Sequence, residues 1–291
     1  MNGPLLIAVM GTTASGKTEL AEALADELGA QLVNNDAFQI YRGMDVGTAK
    51  SARKAGYRLM DIRDPDESFG VGEWVSLAQE ALTGPGPYVV VGGTGLYVRA
   101  FFEDYSDMAP PPDPSLREEL NGVSLEVTQR RLLEADPQTY ARVDLKNPVR
   151  VQRALERALM KPGTPARLHP ATTGFGKAKF WLQRDPLETE ARIANRAAQM
   201  VASGWIEEVE SLRRNGFSRD DPGMRAHGYR HIWDVLEGKI EIAQALELTT
   251  NEVRRYAKRQ RTWLRKEPGV IPIEGDDALQ QALREIELFR E

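Results

Sequence analysis

A glycine-rich segment near the beginning of the sequence carries its clearest chemical signal. Residues 11–18 read Gly-Thr-Thr-Ala-Ser-Gly-Lys-Thr and directly follow the apolar run 5–10. This is the phosphate-binding pattern G-x-x-x-x-G-K-[ST], placed between a strand pattern and a helix pattern. Glycines let the backbone aim successive N–H groups at phosphate oxygens, and the N-terminus of the next helix adds positive charge. The segment therefore predicts a di- or triphosphate site.

The residues of this loop have different expected roles. The expected phosphate ligands are Gly11, Thr12, Thr13, Ala14, Ser15, Gly16, Lys17 and Thr18. The ammonium group of Lys17 can neutralise the outer phosphate, and the hydroxyl of Thr18 can bind Mg²⁺. We therefore expect Mg²⁺ as the cofactor, held on the protein side by Thr18.

Polar residues follow two further predicted strands. Strand 31–33 leads into Asp36, and strand 88–91 leads through two glycines into Thr94. A carboxylate just past a strand suits general-base work, but Asp36 could equally cap the turn that follows. An ordinary P-loop ATPase has an acidic residue at such a strand end to hold Mg²⁺. A hydroxyl, that of Thr94, stands here instead.

The elements that position these residues alternate along the N-terminal third. Short apolar runs alternate with helical patterns, one after the loop that ends at Gly29 and one at 73–82. Such alternation predicts a parallel sheet with helices on both faces. Further strands are expected at 179–182 and 270–273. The predicted fold is α/β: a P-loop NTPase-like core with a parallel sheet flanked by helices, plus a small all-helical insertion.

Two proline- and glycine-rich stretches predict where this insertion begins and ends. The first is 109–114, and the second runs from 161 to about 176. Residues 115–161 between them have helical periodicity and no strand pattern. We therefore predict a first core part at 1–114, a helical insertion at 115–175 and a second core part at 176–291.

Composition excludes several classes of protein. The 291 residues have a net charge of −5 and no cysteine, which excludes disulfides, iron–sulfur clusters and thiolate zinc sites. The run 5–10 lacks a basic segment before it, so we expect a core strand rather than a signal peptide. No stretch approaches the roughly 20 apolar residues of a membrane span. We expect a cytoplasmic protein with no membrane partner, no obligate protein partner and a monomeric state.

Basic residues concentrate in two helical stripes. Residues 254–266 contain seven Lys or Arg and no acid. One face of that segment carries Arg254, Lys258, Arg261 and Arg265, and the opposite face carries Val253, Tyr256, Gln260 and Leu264. Thr249 and Glu252 predict a capping box at the start of this helix. A second stripe carries Arg150, Arg153 and Arg157. Such stripes are either solvated helix faces or contacts to nucleic acid.

Six segments together resemble the tRNA dimethylallyltransferase family. They read GTTASGKT, DAFQIYRGMDVGTAK, RLMDIRDP, VVVGGTGLY, MRAHGYRHIW and AKRQRTWLR, in the family's order and spacing from about residue 5 to 265. The chain departs from the family at Ala37, where serine is usual, and at Thr12, where proline is usual. Alanine at position 37 removes a hydroxyl that would be expected to contact RNA, but it leaves the carboxylate of Asp36 in place.

The resemblance implies an activity and roles for particular residues. It implies transfer of a dimethylallyl group from dimethylallyl diphosphate to the exocyclic amine of the adenine 3′ of the anticodon. The product would be N6-dimethylallyladenosine at tRNA position 37, in tRNAs that read codons beginning with U, with release of pyrophosphate. Asp36 matches the family's catalytic aspartate, Thr94 its strand-end threonine and Arg225 its diphosphate-binding arginine.

The resemblance also implies the partners, which are dimethylallyl diphosphate and the tRNA anticodon stem-loop. The helical insertion would clamp that stem-loop. The tRNA-binding residues would be Asp36, Ala37, Phe38, Gln39, Thr94, Arg117, Gln152, Arg153, Arg225, Tyr229, Arg230, Lys258, Arg259, Arg261 and Arg265. His227 and His231 lack a third ligand in the sequence, so they are expected to line the RNA path or to pack rather than to bind a metal.

Two other classes of protein share part of this pattern. A P-loop kinase would use Asp36 as the base for a substrate hydroxyl, but it needs neither the Gly-Gly-Thr strand end nor the basic helix. An RNA-binding protein with an inactive loop is the second alternative, and the intact Lys17 and Thr18 argue against it.

Overall fold

The computed structural model describes residues 3–103, 114–120, 122–160, 172 and 174–290. Its strands are β1 (Leu5–Gly11), β2 (Gln31–Asn34), β3 (Tyr57–Arg58), β4 (Tyr88–Gly92), β5 (Gly176–Leu182) and β6 (Val270–Ile273). Its helices are α1 (Lys17–Leu28), α2 (Val71–Ala81), α3 (Gly95–Phe102), α4 (Pro114–Leu120), α5 (Leu125–Ala135), α6 (Pro137–Tyr140), α7 (Pro148–Leu159), α8 (Pro186–Ala202), α9 (Trp205–Arg214), α10 (Tyr229–Leu236), α11 (Ile242–Leu264) and α12 (Ala278–Arg290).

The chain divides into two compact units. One comprises Met1–Asp104 and Pro170–Glu291, and the other comprises Tyr105–His169. The predicted linkers, 109–114 and 161 to about 176, lie largely outside the described residues. At their ends, Pro114 begins α4 and Gly176 begins β5. The predicted limits of the insertion, residues 115 and 175, therefore stay predictions.

The larger unit is built on one six-stranded sheet. Its strand order is β3-β2-β4-β1-β5-β6, and every neighbouring pair is parallel. All seven residues of β1 are buried, as expected for a central strand with both faces covered. The α/β class and the parallel sheet are confirmed, and the predicted strands correspond to β1, β2, β4, β5 and β6.

Strand register brings the polar strand ends together. Met10 at the end of β1 pairs with Gly92 of β4, and Asn34 at the end of β2 pairs with Val91. The segments that leave β1, β2 and β4 therefore emerge side by side at the carboxyl edge of the sheet. Ligands of open parallel sheets bind at this edge.

Helices pack on the sheet through apolar side chains. Leu24 of α1 and Ala282 of α12 belong to one buried cluster with Val9 and Val89 of the strands. In a second helical layer, Trp74 of α2 stacks on Tyr97 of α3 at 5.1 Å. The indole N–H of Trp74 also donates to the carbonyl of Asn34 at 2.9 Å, which ties that layer to the end of β2.

The long helix α11 differs from its prediction at one end. It begins at Ile242, so the predicted capping box of Thr249 and Glu252 is wrong. Residues 242–248 are good helix formers and extend the helix upstream of Thr249. The hydroxyl of Thr249 donates to the carbonyl of Ala245 at 2.8 Å, a bond of the helix interior.

The smaller unit is helical over its described residues, which form α4 to α7. Its core contains Leu132 of α5 and Val151 and Leu155 of α7. The side chain of Asn147 accepts a hydrogen bond from the N–H of Arg150, and Pro148 occupies the first turn of α7. In neither unit do the described helices have the length and apolar character that crossing a lipid bilayer requires.

Candidate active site

A cavity of about 130 Å³ opens beyond the carboxyl ends of β1, β2 and β4. The phosphate-binding loop contributes Lys17 and Thr18 to its lining. The other strand ends contribute Asp36 and Thr94, and α8 contributes Arg196. Cationic, hydroxyl and carboxylate groups therefore face one shared space.

The phosphate-binding loop is held by hydrogen bonds from outside its own segment. The Nε of Arg184 donates to the carbonyl of Ser15, and the Nε of Arg192 donates to the carbonyl of Ala14, each at 2.9 Å. Gly16 ends the loop at φ +93°, a left-handed conformation that favours glycine. The first N–H groups of α1 have no partner within the helix, so the loop presents donors suited to phosphate.

Gln260 of α11 joins this loop to the end of β4. Its side-chain oxygen accepts from the N–H of Thr13 at 2.9 Å, and its amide donates to the carbonyl of Gly93 at 2.9 Å. A Cβ atom at Gly93 would lie 2.4 Å from the Gln260 nitrogen. Glycine at position 93 therefore leaves room for the Gln260 amide in the position where it makes this hydrogen bond.

Lys17 and Arg196 form a pair of cations in the cavity. Burial, and then the charge of Arg196, lower the pKa of Lys17 to about 8, while Asp36 and Glu19 act in the opposite direction. Burial also lowers the pKa of Arg196. Within the described part of the chain, no hydrogen bond or salt bridge occupies the Arg196 guanidinium. Its donors are therefore available to an anionic ligand.

Asp36 occupies the turn that leaves β2. Its Oδ1 accepts from the N–H of Phe38 at 2.9 Å, and its own N–H donates to Asn34 at 3.0 Å. The turn-capping role considered from the sequence is therefore present. The other carboxylate oxygen accepts no hydrogen bond from the described residues, and Asp36 lines the cavity. One side chain can thus cap the turn and accept a proton from a ligand.

Thr94 links the ends of β2 and β4. Its hydroxyl oxygen accepts from the N–H of Ala37 at 3.3 Å, and its carbonyl accepts from the side chain of Asn35 at 3.3 Å. The hydroxyl therefore fixes the backbone directly after Asp36. Thr94 also lines the cavity, as Asp36 does.

A loop on another wall is held by Glu208 of α9. The Glu208 carboxylate accepts from the N–H groups of Asp45, Val46 and Gly47 at 2.6, 2.6 and 3.1 Å. It also accepts from the hydroxyl of Tyr229 at 2.6 Å. Gly47 is one of the lining residues, so this carboxylate shapes the cavity without entering it.

Residues 39–267 match the family described as IPP transferase. The chain belongs to the IPP transferase family. A tRNA dimethylallyltransferase 2 of Geotalea daltonii is 38% identical over 286 residues, covering 92% of this chain and 87% of that protein. A tRNA dimethylallyltransferase of Halorhodospira halophila is 38% identical over 299 residues, covering 96% of each. The crystal structure of the full-length tRNA isopentenylpyrophosphate transferase from Bacillus halodurans has a TM-score of 0.69 and 31% identity, covering 98% of this chain and 96% of that one.

In this family member, the structure brings eight of the predicted site residues into one cavity. Those that line it are Thr13, Lys17, Thr18, Asp36, Ala37, Phe38, Gln39 and Thr94. Gly11, Thr12 and Ser15 are buried behind the loop, and Ala14 and Gly16 line the adjoining pocket. The predicted loop residues therefore form two groups. Some face the space where a ligand would bind, and the others shape the loop.

Arg225 is not brought to the loop. It is exposed at the end of the 3₁₀ turn Gly223–Arg225 and is absent from the cavity lining. The charges that act on the pKa of Lys17 are those of Arg196, Asp36 and Glu19. Sequence reasoning missed Arg196. The available signal was the pair Arg192 and Arg196, spaced i, i+4 on one face of a helix.

The remaining predicted tRNA residues differ in accessibility. Lys258 and Arg259 on α11 and Arg265 directly after it are exposed, whereas Gln260 and Leu264 are buried, as the two-faced pattern predicts. Tyr229 is fully buried against Trp205, so its side chain offers no surface to an RNA in this structure. Arg230, Arg261, Arg117, Gln152 and Arg153 are partly exposed or exposed.

His227 and His231 both lie beside the carboxylate of Glu252, a proximity that the sequence did not predict. Glu252 of α11 lies 3.6 Å from Nδ1 of His227 and 3.4 Å from Nε2 of His231. Hydrogen bonding to His227, together with the charges of both histidines, lowers the pKa of Glu252 to about 2 despite burial. Among the described residues, no three His, Cys, Asp or Glu side chains are placed to hold a metal ion.

Proposed function

We propose that this chain transfers a dimethylallyl group from dimethylallyl diphosphate to the exocyclic amine of an adenine in tRNA. The supporting observation is one cavity in which Lys17 and Arg196 face the same space as Asp36. Membership of the IPP transferase family and the names of its relatives support the substrates. The proposed target is the adenine 3′ of the anticodon, and tRNAs that read codons beginning with U are the first to test.

The donor side of the reaction needs positive charge. The bond between the prenyl carbon and the diphosphate oxygen breaks, and its electron pair leaves with pyrophosphate. Lys17, Arg196 and the N–H groups of the loop would stabilise the negative charge that grows on that leaving group. We assign the arginine role to Arg196 rather than Arg225, because Arg196 lines the cavity and has no competing hydrogen bond in the described structure.

The acceptor side needs a base. The adenine amine is a weak nucleophile because its lone pair is delocalised into the ring. As the new bond from the amine nitrogen to the prenyl carbon forms, the amine proton passes to the free carboxylate oxygen of Asp36. Thr94 would hold this turn in place through its bond to Ala37.

Mg²⁺ fits the oxygen donors of this site. Thr18 offers a hydroxyl, and the substrate diphosphate and water would supply the other oxygens, since Mg²⁺ in phosphate sites keeps several waters. When bound, the ion would neutralise part of the diphosphate charge. Lys17 and Arg196 act on the same charge from the protein side.

We propose that tRNA binds through local basic surfaces, because the net charge of −5 gives no general attraction. The exposed side chains of Lys258 and Arg259 on α11, and of Arg265 directly after it, suit phosphate contacts. Exposed Arg225 stays among the proposed tRNA contacts. Tyr229 would act indirectly by orienting Glu208.

An anticodon loop base can be unstacked and turned into a pocket at limited cost. We place this activity in the cytoplasm with the tRNA, and one chain supplies every residue assigned to the reaction.

A single assay separates this function from the alternatives. The protein is incubated with dimethylallyl diphosphate labelled in the prenyl group, Mg²⁺ and unmodified tRNA, with and without ATP. The proposal expects label on adenosine in RNA, without any need for ATP. ATP consumption without label on RNA would indicate a kinase, and tRNA binding without either reaction would indicate a binding protein.

A further inference from the structure

A buried carboxylate lies at the centre of the polar side chains of the helical unit. Glu156 of α7 has a fully buried side chain. Its Oε1 accepts from Nε of Arg117 at 3.2 Å and from the amide of Gln152 at 3.4 Å. Its Oε2 accepts from Arg153 at 2.9 Å and from a second nitrogen of Arg117 at 3.5 Å. The guanidinium of Arg117 thus contacts both oxygens.

The partners of Glu156 reach the surface although Glu156 does not. The side chain of Arg117 is 47% exposed and that of Arg153 is 28% exposed. Each arginine is therefore bound to Glu156 and also has some exposed surface.

Packing alone does not account for a carboxylate at this position. The other fully buried side chains of α7, those of Val151 and Leu155, are apolar and belong to the core of this unit. Burying a carboxylate is costly, and well-packed apolar residues often replace a buried ion pair without loss of stability. A carboxylate does, however, fix the planes of guanidinium groups, which an apolar side chain cannot do.

We propose that Glu156 is a positioning residue that sets the orientation in which Arg117, Gln152 and Arg153 meet tRNA. This inference rests on the proposed function. Glu156 itself does not touch the RNA, because its side chain has no exposed surface. Rigid donors lose less conformational entropy on binding than free arginine side chains do, so the preformed cluster favours affinity.

The test measures tRNA binding by the full-length chain with Glu156→Gln. Removing the carboxylate makes the protein more positive. If electrostatic attraction alone determined the affinity, the variant would bind tRNA equally or more tightly. Positioning predicts the opposite, an increase in Kd for tRNA of about tenfold, with the KM for dimethylallyl diphosphate unchanged. Equal or tighter binding by the variant would overturn the proposal.

A matched variant and a double-variant cycle separate positioning from general effects. Glu119→Gln removes the same charge in the same unit, at an exposed residue paired with Arg131, and should not weaken tRNA binding. In an Arg117→Gln/Arg153→Gln background, Glu156→Gln should change Kd less than about twofold, because its targets are gone. A full effect in that background would overturn the proposal.

Loss of folding is checked by thermal unfolding of each variant. If Glu156→Gln does not fold, Glu156→Asp keeps the charge and withdraws the oxygens by one methylene group. That variant should also weaken tRNA binding several-fold, and unchanged binding would overturn the proposal. A wild-type protein that does not bind tRNA would overturn the proposed function and this inference together. Unchanged binding by the Glu156 variants would overturn this inference alone.

Discussion

The side-chain oxygen of Gln260 accepts a hydrogen bond from the backbone N–H of Thr13 at 2.9 Å. The same amide group donates to the carbonyl of Gly93, so one residue of α11 fixes the phosphate-binding loop against the end of β4. The exposed residues Lys258 and Arg259 lie on the other face of α11. The helix that supports the proposed diphosphate site therefore also carries the basic surface proposed for tRNA.

Gln260→Met should weaken the donor site more than the tRNA site. Methionine has a similar length but provides neither hydrogen bond, so the N–H of Thr13 is left without its acceptor. Removal of each hydrogen bond should reduce the free energy of unfolding by roughly 1–3 kcal/mol. The KM for dimethylallyl diphosphate should rise, while Kd for tRNA stays within a few-fold. Steady-state kinetics and urea unfolding measure both effects.

Thr262→Ala is the control for Gln260→Met. The exposed hydroxyl of Thr262 donates to a carbonyl of the same helix, so its removal should leave the KM unchanged. If both variants gave the same KM as the wild-type protein, Gln260 would not support the loop.

Arg196→Gln and Arg225→Gln should have different effects. Arg196 faces the cavity beside Lys17, where charge grows in the transition state, so its replacement should lower kcat by about 10²–10³ and raise the KM for the diphosphate. Arg225→Gln should leave that KM unchanged. Initial rates at varied donor concentration measure this. The opposite pattern would return the diphosphate role to Arg225.

Much of the sheet could be predicted because apolar runs identify buried strands. All seven residues of β1 and all five of β4 are buried, which gives a strong local signal. The two-residue strand β3 has no such signal. The capping box failed because local sequence at Thr249 resembles a helix start, although the helix formers before it extend the helix.

The site could be predicted where its residues follow a strand, as Lys17, Asp36 and Thr94 do. Parallel strands end at one edge, so sequence position indicates proximity. Arg196, Gln260 and Glu156 lie inside helices. Helical periodicity shows which residues share a face, but it does not show what that face contacts. The arginine proposed to bind the diphosphate, Arg196, could therefore be identified only from its place in the cavity lining.

Donor binding should weaken as the pH rises through about 8. The pKa of Lys17 is lowered to about 8 from an ordinary value of 10.5, chiefly by burial. Below this pH the ammonium is charged and can pair with the diphosphate; above it, the free protein loses that charge. We expect kcat/KM for the donor to fall as the pH rises above about 8. A profile that stays level to about pH 9.5 would contradict this.

The lowered pKa of Lys17 also determines how the free energy of unfolding changes with pH. Between about pH 8 and the ordinary pKa of 10.5, the unfolded chain binds more protons at Lys17 than the folded chain does. The contribution of this group to the free energy of unfolding therefore increases with pH in that window. Comparing urea unfolding of the wild-type protein and Lys17→Met across the window isolates this contribution.

Lys258→Ala should reduce the salt dependence of tRNA binding. Lys258 is exposed on the basic face of α11, and a lysine that pairs with one phosphate contributes about one counterion to the slope of log Kd against log salt. Filter binding at several salt concentrations measures the slope. Arg284→Ala is the control, because this exposed residue lies on α12, which packs near α1 rather than on the basic helix. Equal slopes for the two variants would exclude Lys258 from the tRNA surface.

In the proposed reaction, Asp36 accepts the proton of the adenine amine while Lys17 and Arg196 hold the departing diphosphate. Asp36→Asn keeps the shape of the side chain and its hydrogen bond to Phe38, but it removes the base. The most direct measurement is a single turnover, in which labelled dimethylallyl diphosphate is added to protein already saturated with tRNA. We predict that transfer of label to adenosine slows by about 10²–10⁴, with Kd for tRNA within a few-fold of the wild-type value. A single-turnover rate close to that of the wild-type protein would contradict the claim and leave Asp36 only as the cap of its turn.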